Sequence, residues 1–319
     1  MSEQTLPQAG LPLRIWRHPV TQMFARVLAF LLITALIAWA VHLLLPPPTT
    51  KGGPAAALAE SGLAAWRRLF RYIFPVVAGY WLMVRLLERR KLSELAPSRL
   101  PIDIATGWFT GMAILIAAAG ALALAGCYSV RGFHPDAPLL TPLLVLGVGA
   151  GVVEEIITRG ILFRVVEEAL GTWFAMVLSA LFFGAAHLAN PNASIWMAAA
   201  IAVEAGFLLA MAYAWTRSLW FVMALHAAWN FTQGPLLGIS VSGIAVNGLL
   251  DSSMRGPAVL SGGEFGAEGS ILTVIICVAL GVWFTRRAQA RGRIVPPFWR
   301  RRDADGRVPP LRFEESPAQ

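Results

Sequence analysis

The stretch from Pro142 to Leu170 reads PLLVLGVGAGVVEEIITRGILFRVVEEAL. Through Val153 every residue is apolar or glycine, and then Glu154, Glu155, Thr158 and Arg159 interrupt the run. A helix rising about 1.5 Å per residue over this length crosses the roughly 30 Å hydrocarbon core of a bilayer. Ionisable groups at such depth cost roughly 2.5 to 3.5 kcal/mol each on insertion scales, so their presence needs a reason.

Working outward, similar runs recur at Val27 to Leu45, Phe70 to Leu87, Ile104 to Ala125, Trp173 to Ala189, Ile195 to Trp215, Leu219 to Gln233 and Ile271 to Phe284. About eight spans result, and the fold expected is an all-α polytopic transmembrane helix bundle. Composition agrees: of 319 residues 57% are hydrophobic and only 14% charged, with a mean hydropathy of +0.63. A soluble domain of this size needs more charge to solvate its surface.

The first run follows the basic residues Arg14, Arg17 and Arg26. It exceeds a signal-peptide core and ends in Pro46-Pro47-Pro48 without a nearby small-residue cleavage site, so it reads as a retained anchor. Thr141 before Pro142, Thr172 and Ser194 are expected N-caps, and Gly171 an expected helix stop. Residues 1–26 are expected as an N-terminal cytoplasmic segment, 27–135 as accessory helices, 136–285 as the core, and 286–319 as a basic, disordered cytoplasmic tail.

The formal net charge is +8. The excess sits beside the spans, at Arg89, Arg90, Lys91, Arg99, Arg217 and after Phe284, as positive-inside flanks and anionic-lipid contacts require. Nucleic acid is therefore not the expected partner; membrane lipids are. Both termini are expected in the cytoplasm, of a bacterial inner membrane. The loop Pro235 to Ser270, with Asp251, Glu264 and Glu268 against Arg255, fits the opposite side, while Arg67, Arg68 and Arg71 break the pattern. Cys127 and Cys277 form no disulfide framework and read as small hydrophobes.

Polar residues recur in three of the spans: Glu154, Glu155 and Arg159; then Phe183 and His187; then His226 and Asn230. Helix rise puts them within a few turns of one depth, so they can share a cavity. Glu155 and Arg159, four apart with the acid first, suit an ion pair that braces the site. Glu154 points about 100° away and is left as a desolvated carboxyl suited to general base or acid work. His226 and Asn230 share a face, and two donors converging on one point suit an oxyanion. Gly147, Gly149 and Gly151 permit close helix approach. Taken singly, His226 with Asn230 reads equally as interhelical glue, and His187 as structural. Glu204 is a further intramembrane acid without a matching pattern.

These motifs resemble the CPBP family of membrane proteases, which includes type II CAAX prenyl endopeptidases and bacteriocin self-immunity proteins. The pattern EExxxR, FxxxH, HxxxN is met in order by Glu154-Glu155 with Arg159, Phe183 with His187, and His226 with Asn230. Thr216 to Trp220 and Gly262 to Gly269 also look familial, and the resemblance covers Pro142 to Phe284. It implies an intramembrane endopeptidase acting on a membrane-associated protein or peptide. In it Glu154 and His187 would activate water, His226 and Asn230 would stabilise the tetrahedral intermediate, and Glu155, Arg159 and Phe183 would support them. The family label implies a metalloprotease; a zinc-like ion would take Glu154, His187 and His226, although no HExxH helix is present and a metal-free mechanism is preferred. A non-catalytic scaffold or immunity factor is the main alternative, and a proton-coupled transporter using Glu204, Glu154 and His187 a further one.

Overall fold

In a computed structural model the chain is described at residues 18–46 and 63–303, together with 16, 58, 308, 309 and 311. The expectations for Arg14, Arg17, Pro47 and Pro48, for most of residues 1–26 and for nearly all of the chain after 303 fall outside the described residues. Among the described residues eight principal helices alternate in direction: α1 Pro19–Leu44, α2 Leu63–Leu87, α3 Leu100–Leu124, α4 Leu140–Leu170, α5 Thr172–Ala186, α6 Ile195–Thr216, α7 Leu219–Phe231 and α8 Ile271–Ala290. All except α7 belong to the seven segments long and apolar enough to cross a membrane. α7 is buried over nearly its whole length, only Trp220 and Phe231 escaping. It forms the axis of the bundle, against which α3 and α4 pack.

Several helices extend beyond their apolar runs. α1 begins at Pro19, capped by the His18 side chain, and α2 begins at Leu63, so Arg67, Arg68 and Arg71 lie inside its first turns. α8 continues to Ala290, carrying Arg286 and Arg287 with it. Hydropathy reports where a helix is greasy; backbone hydrogen bonds carry it further wherever side chains reach water. Ser194 caps α6 through a bond from the Met197 N–H, and Gly171 (φ 86°) ends α4. Two expected caps are displaced. α4 starts at Leu140, enclosing Thr141 and Pro142 in its first turn. Gly171 also precedes α5 directly, because the Thr172 hydroxyl donates instead to Glu167 (2.6 Å) and accepts from the Val295 N–H (2.8 Å).

The loop after α7 is more ordered than its composition indicates. Its strand β2 (Leu250–Met254) pairs antiparallel with β1 (Tyr128–Phe133), with a bulge between Val130 and Gly132. Two residues of separation per face and a partner more than a hundred positions away leave no local signature of such a pair. Glu268, in the loop expected opposite the basic flanks, is 3% exposed.

The arginines are not simply lipid-facing charges. At one end of the bundle Arg164 bonds Glu88 (2.8 Å) and Glu168 (2.9 Å). Arg90 bonds Glu88 and Glu94, Arg26 bonds Glu168, and Arg217 bonds Glu167 and the Arg293 carbonyl. These links join α1, α2, α4, α6 and the segment after α8, and they place alternate helix ends on one side. Cys127 and Cys277 are free and buried, as small hydrophobes are expected to be.

Candidate active site

Each helix that carries intramembrane polar residues departs from regular α geometry beside them. α4 widens into π turns at Leu143–Gly149 and Ile156–Phe163, flanking Glu154 and Glu155. α6 does so at Ala202–Phe207, around Glu204, and α7 passes into a π turn at Thr232–Leu236 directly after Asn230. π turns leave carbonyls out of the regular ladder and often mark functional positions. Here Arg159 takes two of the carbonyls in the α6 turn. Its Nη2 donates to Ala205 O (2.5 Å) and Gly206 O (3.2 Å).

The expected ion pair forms: Arg159 Nη1 lies 2.9 Å from Glu155 Oε1, both side chains wholly buried. Arg159 also donates to Thr158 Oγ1 (2.8 Å) and lies over the Phe183 ring, 5.1 Å from its centroid. Glu155 has a second partner that helix spacing within α4 does not disclose. His226 Nδ1 is 2.8 Å from Glu155 Oε1. A carboxylate already accepting from arginine can only accept from the ring, so Nδ1 carries a proton and Nε2 is turned elsewhere.

It is turned toward Glu154. The two adjacent glutamates diverge as expected: Glu155 is sealed in, whereas the Glu154 side chain is 28% exposed, with Oε2 3.9 Å from His226 Nε2. Among the described residues, His226 is the imidazole within ion-pair reach of Glu154. His187, the residue expected beside it, opens a short 3₁₀ turn at the end of α5 and gives Nδ1 to the Phe183 carbonyl (2.8 Å). A carbonyl accepts only, so His187 too keeps its Nε2 for another partner. Asn230 donates from Nδ2 to Leu146 O (2.8 Å) and retains one amide N–H.

The reason His226 reaches Glu154 is backbone proximity between α4 and α7. A Cβ at Gly151 would stand 2.9 Å from Met223 O and 3.2 Å from Ala227 N. Gly147 also faces α7, at Ala227, while Gly149 faces Leu69 and Tyr72 of α2.

Glu154, His187, His226 and Asn230 all line one cavity of about 740 Å³. Its wall includes residues that motif reasoning did not single out for the site. Leu69, Arg71 and Tyr72 come from α2, outside the expected core, and Ser242 from the loop after α7. The sequence marks Arg71 only as a charge that breaks the positive-inside pattern; in the structure α2 carries it to the cavity wall beside Tyr72.

Glutamate and histidine are ordinary zinc donors, and each imidazole here has one nitrogen committed to an oxygen, as metal-bound histidines do. Their placement does not complete a centre. Among the described residues no three histidine, cysteine, aspartate or glutamate side chains converge closely enough to hold one ion. The arrangement as it stands therefore does not fit a three-ligand metal site.

Outside the spans, burial raises the Glu268 carboxyl above the usual range, against the opposing effects of His187 and of the Ser242 N–H and hydroxyl. The Glu268 Oε2 accepts from Ser242 N (2.6 Å) and Ser242 Oγ (3.0 Å).

None of the curated proteins compared with the chain matches it. Residues 136–232 match the family described as type II CAAX prenyl endopeptidase Rce1-like. That interval spans α4 to α7 and contains every residue of the three motifs. The segment that carries the three motifs thus matches the Rce1-like type II CAAX prenyl endopeptidase family, while Leu69, Arg71, Tyr72 and Ser242 join the cavity wall from outside it.

Proposed function

We propose that the protein is an intramembrane endopeptidase that hydrolyses a peptide bond in a membrane-associated protein or peptide. The observation that carries this reading is the facing of the Glu154 carboxylate and His226 Nε2, 3.9 Å apart, in a cavity shared with His187 and Asn230. The family match over residues 136–232 supports a CAAX-protease-like hydrolase at the level of reaction class.

Glu154 and His187 orient a water molecule, and the Glu154 carboxylate takes its proton as the oxygen attacks the scissile carbonyl. The carbonyl π electrons move to oxygen. That oxyanion accepts hydrogen bonds from the uncommitted Asn230 N–H and from His226 Nε2–H, the ring being doubly protonated and held through Nδ1 by Glu155. Collapse breaks the C–N bond, and Glu154 returns its proton to the departing amine. Arg159 keeps Glu155 charged and fixed. Leu69, Leu146, Ile157 and Phe182 make much of the cavity wall apolar, which suits a substrate already resident in the bilayer. With the arginine-rich end on the cytoplasmic side of a bacterial inner membrane, both termini lie inside.

Purified protein in detergent, incubated with a peptide library with and without chelator, tests the reading against Glu154→Gln. Cleavage by the wild type that vanishes in a folded variant is the expected result. A variant that still cleaves ends the proposal, and inhibition by chelator would return the water-activating role to a metal.

A further inference from the structure

Behind the cavity wall lies a second, much smaller chamber of about 20 Å³, bounded by Glu204, Glu268, His187, His226, Asn230 and Ser242 among others. This is room for one water molecule. Glu204 is 0% exposed, and neither of its carboxyl oxygens has a hydrogen-bond partner among the described residues. The π turn at Ala202–Phe207 places it there. Close contact of α5 with α6 holds the turn beside His187, since a Cβ at Gly206 would meet the Ala180 backbone at 2.7 Å.

A buried carboxylate with no counter-charge costs several kcal/mol, which a neutral carboxyl avoids. The groups around Glu204 supply no counter-charge of their own by direct contact. Glu268 from the loop is acidic, Cys277 from α8 is a thiol, His187 has its Nδ1 proton engaged, and the charge placed on His226 is balanced by Glu155 and Glu154 beside it. Arg159 touches the Ala205 and Gly206 carbonyls and not the Glu204 side chain. A water-sized space bounded by a buried acid without a hydrogen-bond partner and by a histidine with one uncommitted nitrogen is a site for a bridging water.

We propose that Glu204 is a positioning residue: its carboxyl anchors one water molecule in the chamber, and that water donates to Nε2 of His187, so that His187 assists the attacking water through this bridge. The proposal rests on the hydrolytic reading for its consequence and on the chamber for its geometry. A purely structural Glu204 would affect folding without moving His187.

The test compares wild type, Glu204→Gln and Glu204→Met in detergent. Infrared difference spectra of wild type against Glu204→Gln at neutral pH are expected to show a protonated-carboxyl band lost in the variant. The ¹⁵N shift of His187 Nε2 is expected to move in Glu204→Met and to stay in place in Glu204→Gln, which keeps a donor. Neither readout needs a substrate, so both stand if no cleavage is ever found. Where cleavage is found, Glu204→Met should lose kcat roughly ten- to a hundredfold at unchanged KM, with Glu204→Gln within about twofold of wild type. Absence of the carboxyl band, or a His187 shift indifferent to Glu204→Met, overturns the proposal. Should Glu204→Met fail to fold, Glu204→Leu takes its place in the shift measurement, and absence of the infrared band still overturns the proposal.

Discussion

His226 on α7 holds Glu155 on α4 through a 2.8 Å bond from Nδ1 to Oε1. One carboxylate oxygen thus accepts from two partners, Arg159 along its own helix and His226 across the bundle. The second link makes Glu155 more than a brace for Arg159, because it sets which nitrogen of His226 faces Glu154.

Two substitutions at Glu155 separate its roles. Glu155→Gln keeps an oxygen acceptor for both neighbours but removes the charge that favours a doubly protonated His226. Cleavage is expected to fall by roughly 100-fold or more, with the fold retained. Glu155→Ala leaves Arg159 buried without its carboxylate and is expected to cost about 3 to 5 kcal/mol of stability. Peptide cleavage rates and thermal melts read the two effects independently, and an active Glu155→Gln enzyme would deny the His226 assignment.

Gly151 sets the distance between the helices that carry the two halves of the site. Gly151→Ala inserts a Cβ 2.9 Å from the Met223 carbonyl, which backbone on backbone cannot absorb without separating α4 from α7. The expected result is about 1 to 3 kcal/mol of destabilisation together with loss of cleavage, from a residue bearing no chemistry. Full activity in Gly151→Ala would show that the Glu154–His226 approach is not critical.

Glu268 gives stability a particular pH dependence. Its folded-state carboxyl titrates above the ordinary value because it is buried. Below the unfolded value of about 4.5 both states are protonated and no penalty arises. As pH rises from there, the unfolded chain ionises first, so the native state loses relative stability up to the folded pKa. Glu268→Gln, which can still accept from Ser242, should therefore melt higher than wild type near pH 7. The advantage should shrink toward pH 4. A difference in melting temperature that is flat with pH, or grows on acidification, contradicts this.

Much of the molecule is legible in one dimension. Long apolar runs dictate spanning helices because a bilayer core offers no water to backbone groups. Glu155 and Arg159 announce their pairing by a spacing of four, since both partners belong to one helix. His226 and Asn230 announce a common face for the same reason. Ser194 and Gly171 mark helix ends through backbone chemistry that is equally local.

What the tertiary structure alone decided is which faces meet. That Glu154 approaches His226 more closely than His187, and that Arg71 and Tyr72 of α2 join the wall, depends on how α2, α4 and α7 cross. The chamber around Glu204 depends further on a π turn, which rotates a helix by an amount no regular period anticipates. Hydrophobic patterning specifies that a side chain is inside the membrane and on a given stripe. Close packing between helices, set by particular small residues far apart in sequence, specifies its neighbour.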